Sequence, residues 1–353
     1  MDYIVMDLEW NQCPYGKSNE IKGLPFEIIE IGAVKLNEDL KIIDRFNEII
    51  KPRVYRQLHF KVKDITHITP EELACGKHFR QVIYNFLEWC GDDYRFVTWG
   101  TMDLKELQRN MRFYRLERVL DFPLYFCDLQ KMFSLCYDNG KTKRTLSSAV
   151  EYLEINEDIP FHRAIDDAIY TVKVMQTMDY KKVKDYISVD TFYVPRIKEE
   201  EIFLTFENYT KYVSMEYFDK EEMFKDPDIT SMNCNKCGKK LIRKIDWFSD
   251  GMKTHFCVGY CKEHGYVRGR LRVKTLDDDI CYGIKVLKST DEEGAQKIAE
   301  KQIAIREKRR ERRLREKIEG CEYDEQEFAD EEKIEEQYKE FEKKSGKIKR
   351  PIR

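Results

Sequence analysis

Residues 3–10 read Tyr-Ile-Val-Met-Asp-Leu-Glu-Trp, an apolar strand pattern that ends in two carboxylates, Asp7 and Glu9. Side chains alternate along a strand, so Asp7 and Glu9 project from the same face of the backbone. Carboxylates held this close repel each other unless a positive charge lies between them, and a divalent cation is the usual partner. A solvated strand end with two incidental acids is the alternative, and residues further along the chain decide between the two.

The segments that follow this strand predict an α/β domain. Residues 26–34 and 41–46 have strand patterns joined by short turns, which indicates an antiparallel meander. A fourth strand at 96–99 leads directly into a helix, and further helical patterns run to residue 178. This order predicts a ribonuclease-H-like fold over residues 1–182, with a mixed five-stranded sheet and flanking helices.

Two later segments add acids and a histidine in matching contexts. Asp103 follows the strand at 96–99 and would lie at a strand's carboxyl end, although an aspartate there is also a typical helix N-cap. His162 lies just ahead of a predicted helix, and Asp167 lies one turn into it. Asp166 and Asp167 are turned about 100° apart on a helix, so only one of them faces the other acids.

The order of these residues resembles the DEDDh branch of the DEDD exonuclease superfamily, which includes RNase T and the epsilon subunit of DNA polymerase III. The tyrosine branch carries a tyrosine four residues before its last aspartate, where this chain has Arg163. Residues 7–10 and 162–168 are similar to the Eri1-like and KapD-like group, most of which act on RNA. The matched positions are Asp7, Glu9, Asp103, His162 and Asp167.

The resemblance implies a phosphodiester hydrolase that uses two Mg²⁺ or Mn²⁺ ions. Two such ions clamp a scissile phosphate, generate the nucleophile and stabilise the leaving 3′ oxygen. Asp7 would bridge both ions, and Glu9 and Asp167 would hold the ion on the nucleophile side. Asp103 would position the other ion through water. His162 is the member of the set that can take a proton near neutral pH, which assigns it as the general base.

Three further residues are predicted to contact substrate. Trp10 would stack on the terminal base, with packing on the domain's own surface as the alternative. Residues 65–69 read Ile-Thr-His-Ile-Thr and resemble the short block that such enzymes carry between their first and second motifs. That resemblance implicates Thr66 and Ile68 in substrate binding.

A second metal site is predicted from two cysteine clusters. Cys234 and Cys237 form a two-thiolate knuckle followed by a glycine, and Cys261 and His264 repeat this spacing further along the chain. The four residues predict one structural Zn²⁺ in a zinc ribbon, because four protein ligands leave no open position for chemistry. Cys257 is the alternative ligand in the second cluster.

Composition predicts the remaining organisation. Residues 183–232 are assigned as a linker or extension, 233–288 as the zinc ribbon, and 289–353 as a charged tail that is helical or partly disordered. One predicted ribbon strand carries alternating basic residues, which would form either a phosphate-contacting face or an ordinary solvated face. These residues are Arg268, Arg270, Arg272 and Lys274.

Bulk properties narrow the compartment and the partners. The chain has 353 residues and a net charge of −3, which neither demands nor excludes a nucleic-acid partner. Neither a secretory signal nor a membrane span is expected, and 11 cysteines, an odd number, favour reduced thiols over a disulfide framework. The prediction is a cytoplasmic protein with no membrane partner, and its protein partners stay open.

The combined prediction is a metal-dependent 3′→5′ exonuclease that releases nucleoside 5′-monophosphates from the 3′ ends of single-stranded nucleic acid. RNA is preferred over DNA by resemblance alone. A DNA exonuclease of the proofreading or repair type is the alternative within this chemistry. A catalytically silent nucleic-acid-binding scaffold is the alternative outside it, although the complete set of five residues argues against this.

Overall fold

A computed structural model describes residues 1–116, 119–276 and 280–315. The chain divides between Val194 and Pro195 into two compact units, each with its own sheet. Within the described residues, every helix is too short or too polar to cross a membrane.

The first unit is built on a six-stranded mixed sheet with strand order β3-β2-β1-β4-β5-β6. Strand β1 pairs antiparallel with β2 and parallel with β4, so it lies inside the sheet with a partner on each side. The strands are β1 (Asp2–Gln12), β2 (Phe26–Leu36), β3 (Ile42–Ile49), β4 (Tyr94–Thr98), β5 (Tyr125–Asp128) and β6 (Ser188–Val189). The helices are α1 (Phe60–Thr66), α2 (Pro70–Cys75), α3 (Phe79–Cys90), α4 (Met102–Phe113), α5 (Leu129–Tyr137), α6 (Leu146–Tyr152) and α7 (Ala164–Thr177).

Helices cover both faces of this sheet, and the alternation of β1 fills two separate cores. Ile4 and Met6 face one core, which contains α3 and α4, whereas Val5 faces the other, which contains α5, α6 and α7. A strand buried on both faces must be apolar at successive positions, which explains the continuous run at the start of the chain. The predicted α/β class with a mixed sheet is confirmed.

The sheet has six strands where five were predicted. The extra strand is β6, whose two residues pair with β5. Strand β6 extends the first unit past the predicted boundary at residue 182. Just after β6, the N–H of Asp190 donates to Leu124 O at 2.8 Å. A two-residue strand is too short for a period-2 pattern to indicate it.

The second unit is a six-stranded antiparallel sheet with strand order β7-β8-β12-β11-β10-β9. Two short helices, α8 (Lys220–Lys225) and α9 (Pro227–Thr230), contribute Met223 and Ile229 to the core on one sheet face. The strands are β7 (Ile202–Thr205), β8 (Tyr209–Val213), β9 (Ile242–Ser249), β10 (Thr254–Cys261), β11 (Gly265–Thr275) and β12 (Cys281–Ser289).

This sheet differs from the predicted domain limits, which assigned residues 183–232 to a linker. Strands β7 and β8 lie inside that range, and β8 pairs with β12, so the range contributes to the sheet. The helix predicted for the charged tail is observed over residues 292–315, and Lys301 Nζ lies 3.7 Å from the ring centroid of Phe256. The rest of the predicted tail, 316–353, lies outside the described residues.

Candidate active site and metal centre

Strand β1 presents the first two acids beside β2. Asp7 lies opposite Gly32, and Glu9 lies opposite Glu30 in the antiparallel register. The register shifts between Glu9 and Trp10, which marks a β-bulge. Bulges re-aim the side chains next to them and are common beside active sites.

Gly32 lets the start of α7 approach β2 closely. A Cβ atom at this position would lie 2.1 Å from Ala164 C and 2.1 Å from Ile165 N, a distance that no real contact allows. The missing side chain therefore lets the helix rest directly on the strand, opposite Asp7. This approach brings Asp167, one turn into α7, to the acids of β1.

Three of the four predicted acids form one cluster. Carboxylate oxygens of Asp7, Glu9 and Asp167 all lie within 4.8 Å of one another. Asp103, in the first turn of α4, lies outside that group of three and is only 6% exposed. Asp103 interacts electrostatically with Asp167, so its carboxylate lies close to the group of three. Asp166 also lies outside the group.

The carboxylates of this cluster resist ionisation. Burial, reinforced by neighbouring carboxylates, raises the pKa of Glu9 to about 8 and that of Asp103 to about 7. Burial also raises the pKa of Asp167 to about 6, and the pKa of Asp7 lies well above its ordinary value for the same reasons. A divalent cation would remove this repulsion, and an all-oxygen donor set suits Mg²⁺ or Mn²⁺.

Glu30 and Arg163 support the cluster, and the sequence reasoning missed this pair. Glu30 is fully buried and accepts from Arg163 Nη2 at 2.9 Å, from Arg163 Nε at 3.2 Å and from the N–H of Ala164 at 3.1 Å. Arg163 also lies 3.6 Å from a carboxylate oxygen of Glu72 on α2. The pair fixes the start of α7 against β2. An acid inside an otherwise apolar strand was the available signal, since buried carboxylates need partners.

His162 lies at the predicted place, directly ahead of α7, and its side chain is exposed. Its backbone has a φ of +73°, and its main-chain N–H donates to Asp167 Oδ1 at 3.3 Å. The left-handed conformation is uncommon outside glycine but is enriched in histidine, asparagine and aspartate. The imidazole is not a member of the carboxylate group, so it is available to solvent beside the acids.

The three predicted substrate contacts fall into two kinds. Trp10 is half-buried and packs on the core and on Phe26, with ring centroids 5.8 Å apart, and the rest of its ring is accessible. Thr66 and Ile68 differ from the prediction, because their side chains are only 2% and 1% exposed. Thr66 Oγ1 donates to Val62 O at 2.9 Å at the end of α1, and Ile68 packs in a core cluster, so neither side chain reaches the surface.

The cysteine cluster of the second unit has a closed geometry. Cys234 Sγ lies 3.6 Å from His264 Nδ1, and Cys261 Sγ lies 3.7 Å from the same nitrogen and from Cys237 Sγ. Tetrahedral Zn²⁺ with ordinary Zn–S and Zn–N bonds has donor–donor edges of roughly 3.5–3.8 Å. The four donors therefore fit one zinc ion.

Two turns and a hairpin build that cluster. Gly238 closes the first knuckle with a φ of +71° and donates its N–H to Cys234 O at 2.8 Å. The second knuckle is the tight connection between β10 and β11. Cys257, the alternative ligand, is excluded from the four-donor group. It is fully buried against Gly269, and burial raises the pKa of its thiol to about 12.

The predicted basic strand is β11, and three of its basic residues lie on one exposed face. Arg268, Arg270 and Arg272 are exposed, whereas Lys274 is half-buried. Lys288 of β12 lies directly opposite Arg268, and burial together with that neighbouring charge lowers the pKa of Lys288. Like charges placed opposite each other repel, so the register sets two positive side chains next to each other.

The family model matches a segment that lies within the first unit. Residues 5–175 match the RNase T family model, described as exonuclease. The probable 3′-5′ exonuclease KapD of Bacillus subtilis is 28% identical over 184 residues, which is 51% of this chain and 85% of that protein. The 3′-5′ exoribonuclease 1 of Mus musculus is 29% identical over 177 residues, 47% of this chain and 50% of that protein.

The chain thus spans only half the length of the mouse relative. Among solved structures, the nuclease domain of 3′hExo, a DEDDh family member bound to rAMP, is 21% identical with a TM-score of 0.45. That match covers 54% of this chain and 96% of the 3′hExo domain.

A mixed α/β sheet with a carboxylate cluster at the end of its first strand, together with these matches, makes the first unit the domain of a nuclease. Residues 5–175 are the part of this unit that matches the RNase T family of exonucleases. The family match leaves the second unit, from Pro195 onward, outside its limits.

Proposed function

We propose that this chain is a 3′→5′ exonuclease that hydrolyses the terminal phosphodiester bond of single-stranded nucleic acid, with RNA preferred and nucleoside 5′-monophosphates released. The observation that carries the proposal is the cluster of Asp7, Glu9 and Asp167, whose carboxylate oxygens lie within 4.8 Å of one another. The polarity and the RNA preference are supported by the names of two relatives, a 3′-5′ exonuclease and a 3′-5′ exoribonuclease. The same proposal includes a cytoplasmic location.

The donor set fits a pair of Mg²⁺ or Mn²⁺ ions held by the four acids of the site, Asp7, Glu9, Asp103 and Asp167. When bound, such ions neutralise the phosphate and lower the pKa of water. Asp7 and Glu9 bind from β1, and Asp167 binds from α7. Asp103, which is buried in the first turn of α4, would hold the second ion through water.

The other residues of the site orient the reactants and move a proton. His162 accepts the proton of the attacking water, because its exposed side chain lies beside Asp167 and, unlike the four acids, is not proposed to hold a metal ion. Glu30 and Arg163 hold the start of α7, which keeps His162 and Asp167 in register with β1. Trp10 offers the exposed part of its ring to the terminal base.

For the second unit we propose a structural Zn²⁺ held by Cys234, Cys237, Cys261 and His264 in a zinc ribbon. The donor distances of 3.6 and 3.7 Å support this assignment. The exposed arginines of β11 would then add sequence-independent affinity for phosphates.

Labelled oligomers test the function directly. RNA and DNA of one sequence, labelled at either end, are incubated with the full-length protein and magnesium. We expect a 3′ label to leave first as a mononucleotide and a 5′ label to give a descending ladder, with RNA degraded faster than DNA. Removal of divalent ions by EDTA should stop the reaction, and excess magnesium should restore it. Internal cuts, or a 5′ label released first, would contradict the proposal.

A further inference from the structure

A cavity of about 910 Å³ lies in the first unit, away from the acidic cluster. Its floor is apolar and contains Leu58, Leu73, Phe79 and Tyr114. The rings of Phe79 and Tyr114 are stacked with centroids 4.9 Å apart, so the aromatic part of the floor is already ordered. A cavity of this size, with a flat apolar floor, suits a planar ligand such as a nucleobase.

Four basic side chains surround the apolar floor, and none of the described residues that line the cavity is acidic. All four are exposed, and within residues 1–116, 119–276 and 280–315 none of them forms an ion pair. Positive charge without an acidic partner favours an anionic ligand. The four residues are Lys51, Arg53, Arg56 and Arg80.

A buried carboxylate holds the arginine-bearing loop in place. Glu27 is 1% exposed and accepts from the main-chain N–H groups of Arg53 at 2.7 Å, Val54 at 3.0 Å and Tyr55 at 2.6 Å. It also accepts from the hydroxyl of Tyr114, which belongs to the cavity floor. The Glu27 side chain therefore fixes both the loop and the aromatic part of the floor, as in a preorganised binding site.

The cavity also shares a helix with the surroundings of the acidic cluster. Leu73 and Ala74 of α2 line the cavity, while Glu72 of the same helix lies 3.6 Å from Arg163. Tyr114 caps the C-terminal end of α4, and Asp103 lies in the first turn of the same helix. At 1.5 Å per residue, the two positions are about 16 Å apart along the helix axis. This separation corresponds to a few nucleotides of an extended strand.

We propose that this cavity binds nucleotides of the substrate strand on the 5′ side of the cleaved end, with phosphates on the arginines and a base on the apolar floor. The inference rests on the proposed exonuclease function and names a second contact on the same strand. It makes the enzyme prefer strands long enough to reach both places.

Strand-length dependence tests the proposal in the full-length protein. Binding of 5′-fluorescein oligo(U) of 3 and 12 nucleotides is measured by fluorescence anisotropy with magnesium, in the Asp7→Asn background so that the strand is not consumed. We expect the 12-mer to bind at least about tenfold more tightly than the 3-mer. The double variant Arg53→Gln/Arg56→Gln should lose this advantage, and its salt slope should become shallower by about 1.4.

Arg45→Gln is the matched control, because Arg45 is an exposed arginine on β3 outside the cavity. A 12-mer advantage retained within twofold in the double variant would overturn the proposal. So would AMP binding that depends on the two arginines while the 12-mer advantage is unchanged, since the cavity would then hold a free nucleotide. Absence of hydrolysis by the unmutated protein would remove the exonuclease function but leave this binding test valid.

A charge swap at one position gives a second test that does not touch the cations. Ala74 is exposed on α2 and lines the cavity. Ala74→Glu should weaken 12-mer binding about tenfold, whereas Ala74→Lys should keep or strengthen it. The two side chains are similar in length, so equal effects would show that bulk matters and charge does not, which would overturn the proposal.

Discussion

The acidic cluster of the first unit and the cysteine–histidine cluster of the second are built in opposite ways. Cys234, Cys237, Cys261 and His264 come from two short turns, and three pairs of their donor atoms lie 3.6 or 3.7 Å apart. The acids come from a strand and two helices, and their pKa values are raised by burial and by each other. Local spacing is enough to specify the cysteine–histidine cluster, whereas the acidic cluster depends on the packing of the whole domain.

The largest expected effect separates the two centres by chemistry. Asp7→Asn should lower the rate of hydrolysis by about 10⁴-fold or more, because it removes a charge from the middle of the acid cluster. The thermal unfolding temperature should stay equal or rise, since a repelled carboxylate is lost. Asp39→Asn, in the exposed turn after β2, is the control. Rates and melting curves of both variants check this, and an active Asp7→Asn enzyme would break the assignment.

The next effect concerns the proton acceptor. His162→Asn should lower kcat by about 10²–10⁴-fold, because asparagine tolerates the left-handed backbone but takes no proton. Binding of substrate should change little. An unchanged kcat would show that His162 has no part in proton transfer.

A smaller effect is expected at the support of the acids. Glu30→Gln should keep the contact with the N–H of Ala164 but lose the ion pair with Arg163, and kcat should fall about tenfold. Glu106→Gln is the matched control, because Glu106 is also buried and pairs with an arginine, Arg109. Both variants should lose stability, and only Glu30→Gln should lose rate. Equal rate losses below the melting temperature would show that Glu30 acts through stability alone.

The acidic cluster should also make stability depend on pH. Without divalent ions, Glu9 and Asp103 have folded-state pKa values of about 8 and about 7, above those of the unfolded chain. The folded state therefore binds more protons, and stability present at about pH 4 is lost progressively as pH rises to about 8. We expect the melting temperature of the ion-free protein to drop by a few degrees over this range. Magnesium should oppose the drop, and a flat profile would contradict these pKa shifts.

The smallest expected effect on hydrolysis tests whether the two centres are independent. Cys234→Ser should remove bound zinc, measured by elemental analysis, while hydrolysis of a trinucleotide changes by less than about threefold. Cys75→Ser, at an exposed cysteine outside the cluster, should retain zinc. Loss of trinucleotide hydrolysis in Cys234→Ser would show that the second unit supports the catalytic one.

Residue patterns predicted most of the first unit. The apolar run of β1, the meander and the helix at Ala164–Thr177 all follow from periodicity. Strands β5 and β6 have only four and two residues, which is too few for a periodic pattern to indicate them. The observed sheet therefore has one strand more than predicted, and the first unit extends further along the chain. In the second unit, β8 takes its place by pairing with β12, a long-range contact that local composition does not show.

The candidate site was predictable to a similar extent. Spacing placed Asp7, Glu9 and Asp167, and the structure brings their carboxylates together. Spacing did not show Glu30, because its partner Arg163 is 133 residues away. Thr66 and Ile68 were chosen by resemblance, and burial of their side chains is a property of packing that the segment alone does not reveal.

Gly32 limits how this domain can change over time. It carries no functional group, yet any larger residue would collide with the backbone of Ala164 and Ile165. A collision with main chain cannot be relieved by a rotamer change, so the whole of α7 would have to shift. A substitution at Gly32 therefore requires simultaneous substitutions that move α7. Laboratory evolution of new specificity should leave β2 unchanged at this position and should alter the loops instead.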